Sequence, residues 1–142
     1  MFMDLSINPQ KTADSIVQFI KKTIQNTGFS KLVIVLSGGV DSAVSLALGV
    51  KAIGAENIYV GIFPYGELND ASTSDAKLTT GFFHIPQKNV FFINIKPLVD
   101  STVSVIPDLI GNPDSHILKN NGYDLRRGNI MVRMRMILLY DL

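Results

Sequence analysis

The chain has no cysteine, only two histidines, and a charged fraction of 18% that is below the average of about 25% for soluble domains. Without cysteine there is no disulfide framework, no thiolate zinc site and no catalytic thiol. The histidines, His84 and His116, stand far apart and make no metal-ligand pattern. Charge of one sign is also missing. A formal net charge of +1 leaves no electrostatic footprint for nucleic acid or a membrane surface. No apolar run approaches the roughly 20 residues of a membrane helix. The start, Met1-Phe2-Met3-Asp4-Leu5, lacks the basic region and apolar stretch of a signal peptide. A soluble, cytoplasmic protein with no nucleic-acid and no membrane partner is expected.

What is present is an alternation of helical and strand patterns. A length of 142 residues, 46% of them apolar, suffices for one real core. Asn8-Pro9 reads as a helix start, with Asn8 as cap and Pro9 at the first helical position. Ala13, Ile16, Ile20 and Ile24 recur at helical spacing, and Gly28 closes that helix. Residues 31–36 form a short β-branched run, the pattern of a strand buried on both faces in a parallel sheet. A second helix follows from Val40 to near Gly54, then a strand at Ile58–Phe63 stopped by Pro64. A helix over 69–82, capped by Asn69 or Asp70, leads to a third strand at Val90–Ile95. The next helix starts at Pro97 and must end or kink at Pro107. Residues 111–124 read as a loop, and a last helix begins near Leu125 and still runs at Leu142. The Phe82-Phe83 and Phe91-Phe92 pairs read as core. Strands alternating with helices indicate an α/β fold: a parallel sheet with helices on both faces.

The first strand runs directly into Ser37-Gly38-Gly39-Val40-Asp41-Ser42. Glycines permit backbone angles that other residues resist, so successive amides can turn inward and cradle phosphate oxygens. The positive end of the following helix adds to that field. Ser37 and Ser42 can donate hydroxyl bonds to the same group. Asp41 is the odd member, because a carboxylate repels phosphates unless a cation lies between. That placement argues for Mg²⁺ bridging Asp41 and a pyrophosphate. The Walker loop is excluded, since no lysine follows at the required place. The dinucleotide fingerprint is excluded as well, because the two glycines are adjacent.

Ser-Gly-Gly-Val-Asp-Ser resembles the signature of the PP-loop ATP pyrophosphatases, which split ATP between its α and β phosphates. Two further stretches resemble the NAD synthetases within that superfamily. Phe63-Pro64-Tyr65-Gly66, with acidic residues after it, is similar to their Leu-Pro-Tyr-Gly pattern. Gly128-Asn129-Ile130-Met131-Val132-Arg133-Met134-Arg135-Met136 is similar to their Gly-Asn-x-x-x-Arg-x-Arg-Met helix. Asn94-Ile95-Lys96 also matches the end of their third strand. The resemblance implies an adenine nucleotide alpha hydrolase-like, three-layer fold, truncated after the third strand and following helix. Residues 1–142 would be the N-terminal, incomplete part of the synthetase domain. It implies ATP-dependent amidation of deamido-NAD⁺ by ammonia, through an adenylated intermediate, with Mg²⁺ and in a homodimer.

On that resemblance Val35, Leu36, Ser37, Gly38, Gly39, Val40, Asp41 and Ser42 bind ATP, and Asp41 holds the metal. Asn129 and Arg133 bind deamido-NAD⁺. At about 100° per residue, Asn129 and Arg133 share one side of the last helix while Arg135 lies nearly opposite, which favours Arg133 as the ligand contact. Ile130, Met134, Ile137 and Leu138 form the stripe expected to face the core. Tyr65 would border the adenine or be an ordinary half-buried tyrosine. Asp70 and Asp75 read as helix-start and solvated charges, and both histidines as loop residues. One departure stands out: the family's Gly-x-Ser-Gly-Gly has glycine where this chain has Val35. A metal-binding segment and a lysine-bearing loop of the family's second half are not within residues 1–142, so poor catalysis by this chain alone is expected. The competing expectations are another PP-loop adenylating enzyme, of the GMP synthetase or tRNA thiolase type, and a non-catalytic nucleotide-binding remnant.

Overall fold

Asn8 opens the first helix as the sequence predicts. Its side-chain carbonyl accepts the Lys11 amide at 3.0 Å, Pro9 follows, and Gly28 closes the element at φ 74°. The computed structural model describes residues 7–66, 70–109 and 122–142. The chain runs α1 (Pro9–Thr27), β1 (Leu32–Val35), α2 (Val40–Ile53), β2 (Ile58–Ile62), α3 (Asp70–Phe82), β3 (Val90–Phe92), α4 (Lys96–Leu109) and α5 (Gly122–Asp141), with single 3₁₀ turns leading into β2 and β3. Asn69, His116 and most of the 111–124 stretch lie outside the described residues.

The three strands form one parallel sheet in the order β1-β2-β3, with Val33 opposite Tyr59 and Gly61 opposite Phe91. Alternate residues of β2 feed two cores. Ile58, Val60 and Ile62 pack with Leu46 of α2 and Ala76 of α3 on one face. On the other face Phe63, Ile95, Val99 and Val103 pack with Ile130 of α5, and Val35, Met131, Met134 and Leu138 close around them. Helices therefore cover both faces, and the expected three-layer α/β architecture is present. Gly61 makes the second core possible, because a Cβ there would lie 2.5 Å from the Phe63 ring.

Local differences from the sequence reading have physical causes. α4 continues to Leu109, two residues beyond Pro107, since proline removes one N–H without requiring the chain to stop at once. β3 is shorter than the apolar run suggests, although its ladder extends through Ile93 N–H to Ile62 O and Ile95 N–H to Pro64 O. α5 starts at Gly122, three residues before the expected Leu125. Of the two phenylalanine pairs only Phe83 packs against a core cluster; Phe91 is partly buried and stacks on Tyr59, whereas Phe82 is 77% and Phe92 49% exposed. Buried Asn89 stitches the lead-in of β3 to β2, donating to the Glu56 and Ile58 carbonyls at 3.1 Å each.

Candidate nucleotide site

The 37–42 loop leaves the carboxyl end of β1 and opens α2. Gly38 takes φ 82°, and a Cβ on it would fall 2.2 Å from the Ser72 carbonyl oxygen. Glycine is required there twice over, by the left-handed backbone and by the first turn of α3 lying directly on the loop. Ser37 Oγ accepts the Gly39 amide at 3.3 Å, and Ser42 Oγ donates to the Gly39 carbonyl at 2.8 Å. The two hydroxyls also meet each other at 3.2 Å. The first intrahelical bond of α2 runs from the Ala43 amide to Gly39 O, and Gly39 supplies no side-chain cap. The amides of Val40, Asp41 and Ser42 thus have no partner within the helix and point out of its positive end. Asp41 is exposed in that first turn.

Beside the loop is a cleft of about 270 Å³ between the carboxyl ends of β1 and β2. Leu36, Ser37 and Phe63 line it from the sheet, Ser72 and Thr73 from the first turn of α3, and Arg135 from α5. Parallel α/β sheets bind ligands at this edge, outside the strand carboxyl ends. Among the described residues, Arg135 is the one charged side chain in the lining. Its Nε donates to the Phe63 carbonyl at 3.2 Å, and burial pulls its guanidinium pKa down from the usual arginine value.

Phe63 and Pro64 belong to the cleft wall, and the segment Phe63–Gly66 is fastened at each residue. Arg135 holds the Phe63 carbonyl, Ile95 N–H bonds Pro64 O at 2.9 Å, and Asn94 Oδ1 accepts the Gly66 amide at 3.0 Å. Tyr65 is buried at 3% exposure, and its hydroxyl donates to Asp100 of α4. Asp100 also pairs with Lys96 and, at 2.6 Å, with Arg127 of α5. The Lys96 bond first, then the Tyr65 hydroxyl, hold the Asp100 carboxyl down at about 2. Burial, reinforced by the bond to Asp100, pushes the Tyr65 phenol up. Tyr65 is therefore a buried strut rather than a half-exposed ring.

Of the residues read from sequence, Val35, Leu36 and Ser37 line the cleft, and Gly38 to Ser42 shape the adjoining loop. Asn129 and Arg133 lie apart from the cleft on the exposed side of α5. Asp75 is exposed, as expected. The sequence reading names neither Ser72 nor Thr73, and it sets Arg135 aside in favour of Arg133, whereas the cleft is lined by Arg135. The buried face is turned by about 30° from the one drawn on sequence: Met131 joins Ile130, Met134 and Leu138 in the core, while Ile137 is 61% exposed. Arg135, one turn beyond Met131, then stands on the flank of the buried face and reaches the sheet. Read with Met131 included, the sequence does place Arg135 beside the core. Ser72 and Thr73 carried no signal beyond their place in a helix start.

A parallel sheet with a glycine-turned phosphate loop after its first strand and a cleft at its carboxyl edge defines a Rossmann-like PP-loop protein. The family model described as NAD synthase matches residues 12–142, and the chain belongs to that family. It is 41% identical over 127 residues to the NH(3)-dependent NAD(+) synthetase of Thermococcus kodakarensis, covering 89% of this chain and 43% of that protein. With the enzyme of the same description from Chlorobium phaeovibrioides it is 37% identical over 138 residues, covering 97% and 44%. Among solved structures, the NH3-dependent NAD synthetase of Campylobacter jejuni, in complex with the nitrate ion, superposes with a TM-score of 0.76 at 25% identity, covering 96% of this chain and 52% of that one. The glutamine-dependent NAD+ synthetase of Acinetobacter baumannii, in complex with ADP, has a TM-score of 0.79 at 23% identity and supports the fold alone. The chain spans less than half the length of the sequence relatives it matches.

Proposed function

We propose that the chain is the ATP-binding, N-terminal part of an ammonia-dependent NAD synthetase. The observation that carries this reading is the Ser37–Ser42 loop, with Gly38 seated on Ser72, in a chain of the NAD synthase family. In the reaction, a carboxylate oxygen of deamido-NAD⁺ attacks the α-phosphorus of ATP, and the bond to the β-phosphate oxygen breaks to release pyrophosphate. Ammonia then attacks the acyl carbon, AMP leaves, a proton is lost, and the amide of NAD⁺ remains. The residues here contribute by holding and neutralising phosphates rather than by covalent chemistry.

Loop amides and the Ser37 and Ser42 hydroxyls would bind the phosphate chain. No cluster of three or more metal-binding side chains occurs among the described residues. A single exposed carboxylate, Asp41, beside phosphate donors nevertheless suits Mg²⁺, which takes one or two carboxylates and completes its shell with phosphate and water. When bound, Mg²⁺ would offset phosphate charge and favour departure of pyrophosphate. Asn129 and Arg133, exposed on α5, are the proposed deamido-NAD⁺ contacts, and a second copy of the chain is the proposed partner. No described helix is long and apolar enough to cross a membrane.

The test supplies ATP, Mg²⁺, deamido-NAD⁺ and ammonium and measures AMP and NAD⁺. Turnover by a version extended beyond Leu142, but not by residues 1–142, is the expected outcome, since the relatives are more than twice as long. No turnover by either would remove the synthetase reading. ATP binding without turnover by either would leave the nucleotide-binding remnant.

A further inference from the structure

We infer that Arg135 binds the α-phosphate of the nucleotide, joining the cleft to the phosphate loop. The inference rests on the proposed ATP site and adds a residue to it. Three observations carry it. The cleft meets the loop only at the first loop residue, Ser37; the residues from Gly38 to Ser42 are not in its lining. The cleft therefore receives the nucleoside end of the ligand, and the β and γ phosphates extend along the loop toward the α2 N-terminus. A volume of about 270 Å³ lies below the roughly 300–1,000 Å³ of ordinary small-molecule clefts and suits a nucleoside better than a whole triphosphate.

Secondly, Arg135 supplies the charge in an otherwise neutral lining of apolar groups, backbone and the Ser72 and Thr73 hydroxyls. Even a half-buried cation opposite neutral partners carries a desolvation cost that an anion in the cleft would offset. Thirdly, the guanidinium is oriented: Nε is committed to the Phe63 carbonyl, and Phe63 belongs to the segment fastened by Ile95, Asn94 and Asp100. An arginine anchored through Nε presents its Nη pair as a fixed fork, the geometry that matches two oxygens of one phosphate. At the Ser37 junction between cleft and loop, that phosphate is the α. It is also the phosphorus attacked in the proposed reaction, so the same fork would stabilise charge developing there.

The experiment compares the binding of MgATP, AMP and pyrophosphate to the full chain and to Arg135→Gln, Arg135→Lys and Lys22→Gln by calorimetry. Arg135→Gln should weaken AMP and ATP about 10- to 100-fold, as expected for the loss of a charge-assisted pair, and leave pyrophosphate within about twofold. Lys22→Gln, at an exposed position of α1, should leave all three unchanged. Equal losses for AMP and pyrophosphate would indicate a merely structural role and overturn the inference, as would no loss at all. Should Arg135→Gln not fold, Arg135→Lys decides: reduced AMP affinity with unchanged pyrophosphate supports the inference, and unchanged AMP affinity overturns it. A wild-type chain that binds neither ATP nor pyrophosphate would instead refute the ATP site itself.

Discussion

Gly38 shows how one residue can serve backbone angle and tertiary contact together. Replacing it with alanine puts a methyl into the Ser72 backbone at a left-handed φ, and neither strain can relax without moving α3 off the loop. Gly38→Ala should lower stability by about 2 kcal/mol or more, read from the denaturant midpoint, and should abolish detectable ATP binding. Asp41 offers a sharper contrast, because it is exposed and makes no packing contribution. Asp41→Asn should weaken Mg²⁺-dependent ATP binding at least about tenfold, while Asp75→Asn on the exposed side of α3 should change it less than about twofold. Equal effects would move the metal elsewhere. Asp100 acts through its charge. Its carboxyl is held at about 2 against an ordinary 3.8, so its contribution is fully present above about pH 4 and is lost as pH falls toward 2. The denaturant midpoint should therefore drop over that window, and Asp100→Asn should reduce the drop. A variant with the same acid slope as the wild type would show that other carboxylates govern it.

Among the elements, the end of α3 contains a residue out of keeping with its backbone. His84 has φ 54°, its amide bonds Gly81 O at 3.1 Å, and the next amide, of Ile85, bonds Thr80 O at 3.0 Å. These two bonds are a Schellman motif with histidine where glycine is usual, and Ile85 is buried beside it. His84→Gly removes the left-handed strain and should raise stability by about 0.5–1 kcal/mol, visible as a higher melting temperature. No change or a decrease would mean that the imidazole makes a compensating contact. Helix and strand identity was legible from periodicity, β-branched runs and capping residues in all eight elements. Boundaries were less so. Whether α4 stops at Pro107 depends on the cost of one missing amide bond against the packing of Val99 and Val103 in the second core.

Across the whole molecule the sheet has two cores and a set of exposed apolar side chains. α5 leaves Val132, Ile137 and Tyr140 at 58%, 61% and 85% exposure. The homodimer proposed above accords with such a surface, and sedimentation at micromolar concentration should return a dimer mass; a monomer would count against it. The cleft and the Ser37–Ser42 loop lie at the carboxyl edge of the sheet, where β1, β2 and the first turns of α2 and α3 meet and Arg135 of α5 reaches the Phe63 carbonyl.

The sequence by itself determined the fold class, the phosphate loop and the family, because each is written in short-range order: a strand, two glycines and a helix start need no distant partner to be recognised. By resemblance it also put the proposed deamido-NAD⁺ contacts, Asn129 and Arg133, on α5. Only the tertiary structure decided which arginine of that helix faces the cleft. Met131 in place of Ile137 turns the centre of the buried stripe by only about 30°, yet that is enough to put Arg135 on its flank, where it bonds the Phe63 carbonyl. Rotation about a helix axis is set by packing against the sheet, and the helical pattern alone, with methionines and isoleucines on adjoining positions, leaves it undetermined. The burial of Tyr65 on Asp100 and the seat of Gly38 on Ser72 were likewise decided by contacts between residues about 35 apart in the chain.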